Sequence, residues 1–121
     1  MARLSNGTTS GLDLPLIAEV GSKAAGLAWA KVDASNTSLV NLYQMWVAPE
    51  FRRQGLGRLL LRAAVAWARA RNAHSVHLKA TCGDTPAMGL YAGEGFKPVG
   101  QSEPLRPGSA SLAQPMVLQL K

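Results

Sequence analysis

Short apolar runs, cut by glycine, proline and polar turns, fill residues 14–47. LPLIAEV (14–20) ends at Gly21, and AAGLAWAKV (24–32) follows after three residues. That spacing predicts two strands joined by a tight turn. Asp33 to Thr37 is a polar turn. SLVNLYQMWV (38–47) is rich in β-branched and aromatic residues and reads as a third strand, closed by Pro49.

The period then changes. Leu56, Leu60, Ala63, Ala64 and Trp67 recur at steps of three and four, while Arg58, Arg62, Arg69 and Arg71 fall largely on the other faces. This predicts a helix over 56–71, with Asn72 as its stop. SVHLKA (75–80) predicts a short strand and CGDT a turn. PAMGLYA (86–92) predicts a short helix, with Pro86 in its first turn and Gly93 at its end. FKPVG (96–100) and QPMVLQL (114–120) read as closing strands around a Pro/Gly loop, PLRPGSAS (104–111). The order β-β-β-α-β-α-β-β mixes hairpins with βαβ crossovers. It predicts an α/β (α+β) domain over 14–121: a mixed, mostly antiparallel sheet with helices on its faces. Residues 1–13, MARLSNGTTSGLD, read as a polar, flexible leader.

The chain has 121 residues, which suits one domain, and 47% of them are apolar, enough for a core. Thirteen Lys and Arg against seven Asp and Glu give a formal charge of +6. That points to an anionic partner: nucleic acid, a phosphorylated small molecule or an acidic membrane. The single cysteine, Cys82, makes no internal disulfide, which suits a reducing, cytoplasmic setting. No run of 18 apolar residues and no apolar signal-peptide core occurs, so no membrane association is expected.

The charge is concentrated at one informative place. In VAPEFRRQGLGRLLLR (47–62), Arg52, Arg53 and Arg58 crowd a helix start, where acidic residues are normally favoured. Amides at a helix start lack intrahelical partners, and glycines let a ligand approach the backbone. Free amides, glycines and arginines together make a cradle for a phosphate or pyrophosphate. The loop lacks the GxxxxGK[ST] of a nucleotide-binding P-loop. As a GxGxxG dinucleotide fingerprint, GLGRLL lacks the third glycine.

Val47-Ala48-Pro49 followed by Arg52-Arg53-Gln54-Gly55-Leu56-Gly57 resembles the R/Q-x-x-G-x-G/A signature of the GNAT superfamily of acetyl-CoA-dependent N-acetyltransferases. GDTPAMGLYAGEGFKPVG (83–100) is similar to the same superfamily's N-x-x-A-x-x-L-Y-x-x-x-G-F segment, with Ala87, Leu90, Tyr91, Gly95 and Phe96 in register. The resemblance covers about residues 14–121. It implies acetyl-CoA as co-substrate, and backbone pairing of Met45, Trp46 and Val47 with the pantetheine arm. It implies a pyrophosphate held around Arg52, Arg53, Gln54, Gly55, Leu56, Gly57 and Arg58, and a cofactor contact from Asp84. Tyr91 is implied as the general acid that protonates the departing thiolate.

Two departures shape the expectation. Aspartate stands at 84 where the superfamily has asparagine, and reads as a helix-start cap. Before LPLIAEV the superfamily carries a strand and one or two helices that wall the acceptor site; here 13 residues precede it. The resemblance therefore implies an N-terminally shortened fold with its cofactor half present. An uncovered sheet face predicts a homodimer.

No general base is assigned. Where some relatives place a glutamate, this chain has Lys79, and Glu50, Glu94 and Glu103 are not at matching positions. His74 and His77 lack a third ligand for a metal, Cys82 has no local support as a nucleophile, and Trp29, Trp46 and Trp67 read most simply as core. The expected activity is direct transfer of an acetyl group to the primary amine of a small molecule or peptide, without metal. The alternative is an acetyl-CoA-binding module without a competent acceptor site. Nucleic-acid binding fits the charge, but no motif supports it.

Overall fold

In the computed structural model the described residues are 2–6, 11–83 and 85–121. Ala2–Asn6 (β1), Asp13–Val20 (β2), Lys23–Val32 (β3) and Leu39–Val47 (β4) form an antiparallel meander. A 3-10 turn at Pro49–Phe51 leads to Leu56–Ala70 (α1), then Ser75–Thr81 (β5) and Thr85–Gly93 (α2). Two short strands, Lys97–Pro98 (β6) and Glu103–Pro104 (β7), precede Leu112–Gln119 (β8). The sheet order is β1-β2-β3-β4-β5-β8-β6, with β7 also on β8. Only β4 and β5 pair in parallel, because the α1 crossover returns the chain to the same end of the sheet.

The mixed, mostly antiparallel sheet agrees with the expectation from periodicity. Two details differ. Residues 2–6, read as part of a leader, form β1 and pair from Ala2↔Val20 to Asn6↔Leu16. Alternation over so short a polar segment is too weak to announce an edge strand whose stability comes from its neighbour. The loop expected over 104–111 gives up Pro104 to β7, and the strand expected over 96–100 shrinks to Lys97–Pro98.

The core lies between one sheet face and the helices. Leu14, Leu16 and Ala18 of β2 and Ala28, Ala30 and Val32 of β3 alternate inward, against Leu60, Leu61, Ala64 and Ala68 of α1. Small residues on β3 let the helix sit close to the sheet. Helix α1 ends in a Schellman motif: Asn72 adopts φ 62°, its N–H reaches the Arg69 carbonyl, and the Ala73 N–H reaches that of Ala68. The opposite sheet face carries Ile17, Trp29, Tyr43, Trp46, His77 and Lys79, and neither helix covers it. Trp29 and Trp46, expected in the core, therefore lie on the open face, Trp46 at 46% exposed, while Trp67 on α1 only flanks the core.

Two local features open the sheet. Trp29 pairs with Gln44 but Ala30 with Leu42, so Tyr43 is an extra residue in β4, a bulge that bends the strand. Between β4 and β5 only Leu39↔Ser75, Val40↔Val76 and Asn41↔His77 pair. Beyond Asn41 the strands part. Gly26 fixes the bent half of β4: a Cβ there would lie 2.7 Å from the Trp46 carbonyl oxygen. Gly26→Ala is expected to destabilise the domain by about 1–3 kcal/mol, the usual cost of overpacking, measured by denaturant unfolding.

Candidate active site

Because β4 and β5 part, a cleft runs between their C-terminal halves, and two helices close its sides. On the α1 side it is a groove of about 710 Å³. Met45, Trp46 and Val47 form one wall of it, and Pro86, Ala87 and Leu90 of α2 the other. On the far side a second groove of about 480 Å³ is lined by Tyr43, Gln44, Lys79, Thr81 and Leu105, among others. Met45, Trp46, Ala87 and Tyr91 belong to both. The two grooves thus meet at Tyr91.

The glycine–arginine loop forms the floor of the first groove. Gly55 caps α1 with φ 79°, no side chain caps the first turn, and no acidic residue stands in it. The amides of the first turn of α1 therefore keep their positive character toward the groove. Gly55 is required for conformation, since few other residues tolerate that φ. Arg53 also adopts φ 66°, a strained value for a non-glycine residue.

The predicted site residues do not all behave alike. Met45, Trp46, Val47, Arg52, Arg53, Gly55, Gly57 and Arg58 line the groove, as does Leu56, which is otherwise buried in the core. Gln54 does not line it, and its Nε2 leans back to the Glu50 carbonyl at 3.5 Å. Arg52 donates from Nε to the Val47 carbonyl at 3.1 Å, which ties the loop to the end of β4. Arg58 lies 3.7 Å from Glu94, which itself holds Arg62 through a bidentate pair at 2.6 and 3.2 Å. The Arg62 guanidinium holds the Glu94 carboxyl below its usual range, and in return the arginine is held higher. Glu94 is therefore committed to pinning α2 against α1. Asp84 lies outside the described residues. Phe51, Pro86 and Ala87 were missed, because a residue's place on a groove wall depends on how α2 packs, which motif spacing does not specify.

Tyr91 is 8% exposed and packs edge to face on Phe96, with centroids 6.2 Å apart. The Phe96 and Glu94 amides both bond to the Tyr91 carbonyl, so the end of α2 holds this side chain in place. At the closed end of the split, His77 faces the uncovered side, with Nε2 3.0 Å from the Ser75 hydroxyl. Burial pushes the His77 imidazole below its usual value, against the pull of Asp33. Asp33 itself is held low by its hydrogen bonds to Ser35 and Asn41. These contacts make a polar plug under the point where the strands part. Among the described residues no three His, Cys, Asp or Glu side chains gather in a way that holds a metal ion.

Residues 6–96 match the model of the acetyltransferase (GNAT) family. The mycothiol acetyltransferase of Pseudarthrobacter chlorophenolicus is 32% identical over 84 residues, covering 67% of this chain and 26% of that protein. The streptothricin acetyltransferase of Streptomyces lavendulae is 37% identical over 87 residues, covering 72% of this chain and 46% of that protein. The chain thus spans between about a quarter and half of the length of these curated relatives. The ribosomal-protein-S18-alanine N-acetyltransferase of Escherichia coli superposes with a TM-score of 0.83 at 20% identity, covering 100% of this chain and 95% of that one. At that identity the likeness speaks for the fold alone. Family match, split sheet and glycine–arginine cradle agree: the chain belongs to the acetyltransferase (GNAT) family.

Proposed function

We propose that the chain transfers the acetyl group of acetyl-CoA directly to a primary amine within a ternary complex. The observation that carries this is the single cleft in which a cofactor groove and a second groove meet at Tyr91. In this reading Arg53, Arg58 and the first-turn amides of α1 hold the pyrophosphate. The unpaired edge of β4 over Met45–Val47 receives the pantetheine arm as a neighbouring strand would. The amine enters from the far groove and attacks the thioester carbonyl. It arrives as the neutral amine, and its nitrogen forms the new C–N bond as the C–S bond breaks. The Tyr91 hydroxyl gives its proton to the leaving thiolate, and the proton shed by the nitrogen passes through water to restore the Tyr91 phenol.

The relatives' names give mycothiol, streptothricin and an alanine of ribosomal protein bS18, which supports a small-molecule or peptide amine as the acceptor. The single Cys82 suits a cytoplasmic site of action. The test is release of free thiol from acetyl-CoA on addition of amines. Amine-dependent release supports transfer. Saturable acetyl-CoA binding without release under any amine favours the binding-module alternative. The exposed Ile17 on the open sheet face, outside both grooves, supports a homodimer. Light scattering is expected to give twice the 12.8 kDa of the chain, and the single mass at high concentration would refute it.

A further inference from the structure

Among the described residues lining the far groove, Lys79 carries the one charged side chain. It stands on β5 on the same strand face as Thr81, and its Nζ lies 2.6 Å from Oε1 of Glu103 on β7. Both members are largely in solvent, with side chains 61% and 44% exposed. An ion pair in that setting contributes little to stability, so its partners exchange readily. Glu103 marks a position beside Lys79 that accepts a carboxylate. It is carried on a two-residue strand between a turn and a Pro/Gly loop, where side-chain displacement disturbs no core packing.

We propose that Lys79 is a specificity residue that binds a carboxylate on the acceptor, so that the preferred acceptor is an amine bearing a carboxylate. This rests on the acetyl-transfer reading of the cleft. The incoming carboxylate takes the place of Glu103 on the Lys79 ammonium, which directs the amine along the groove toward Tyr91. A polyamine meets the opposite situation. Its ammonium groups gain nothing from Lys79, which keeps its Glu103 partner, in a chain of net charge +6.

The test uses the full chain saturated with CoA, so that no transfer occurs. Binding of 4-aminobutyrate, β-alanine, butylamine and 1,4-diaminobutane is followed by amide shifts in an NMR titration. The aminocarboxylates are expected to bind about two- to fivefold more tightly than the monoamine or diamine, the scale of one exposed ion pair. Their shifts should centre on Lys79, Thr81 and Leu105, and the preference should shrink at high salt. Lys79→Gln should remove the preference. Glu103→Gln should strengthen aminocarboxylate binding, because the internal competitor is gone, and this opposite sign separates the proposal from simple damage to the fold. Equal binding of all four amines, a preference for the diamine, no saturable aminocarboxylate binding, or a preference that survives Lys79→Gln would each overturn it. Lys79-dependent binding combined with no acetyl transfer in the turnover assay would sink the transferase reading and with it the role in acceptor choice, leaving Lys79 as a carboxylate-binding group only.

Discussion

Tyr91→Phe is expected to lower single-turnover acetyl transfer by roughly 10²- to 10⁴-fold, the range for a lost general acid. The substitution keeps the ring that packs on Phe96 and removes only the hydroxyl. A phenol stays protonated at neutral pH and gives up its proton only as negative charge develops on the sulfur. Because the hydroxyl acts in the transition state, acetyl-CoA affinity should stay close to that of the wild type. Single-turnover rates with cofactor binding measured in parallel separate the two effects. Equal rates in both proteins would make Tyr91 a packing residue that seats α2.

Removing charge from the cradle should have the second largest effect, and on binding rather than chemistry. Arg53→Gln combined with Arg58→Gln is expected to weaken acetyl-CoA binding by about 100-fold, from about tenfold for each hydrogen bond to a charged group. The fold should survive. Arg53 makes no ion pair or side-chain hydrogen bond among the described residues, and glutamine at φ 66° is no more strained than arginine. Loss of Arg58 leaves Glu94 in its bidentate pair with Arg62. Wild-type affinity should fall with rising salt, and the double variant should respond less. Calorimetry that shows less than a threefold loss in a folded double variant would place the pyrophosphate elsewhere. Gly55→Val makes a poorer probe than these. At φ 79° a branched side chain strains the backbone, so lost binding would be confounded with lost stability.

Much of this site was legible in the sequence because it is local. The cradle rests on two features within one short segment, glycines at fixed spacing and a helix start, and both leave marks in sequence. The same holds for the Asn72 stop and for the inward face of α1. Even there the face was drawn slightly off, since Leu61 and Ala68 are buried while Ala63 and Trp67 only flank the core. The rest depends on contacts far apart in the chain. The bulge at Tyr43 leaves no residue signature, yet it sets where β4 leaves β5. The meeting of Lys79 with Glu103 joins β5 to a two-residue strand that periodicity has no power to detect. The short β1 becomes a strand only because β2 offers it an edge. Trp46 reads as core by composition, but alternation with Met45 and Val47 turns it to the open face.

The central claim is that acetyl-CoA occupies the split between β4 and β5, with its pyrophosphate on the start of α1. Amide hydrogen exchange with and without acetyl-CoA tests it most directly. The account predicts slowed exchange at Trp46 and Val47 on the free edge of β4 and over residues 53–58, with little change in β1 and β2. Protection confined to other elements, or none at saturating acetyl-CoA, would contradict it.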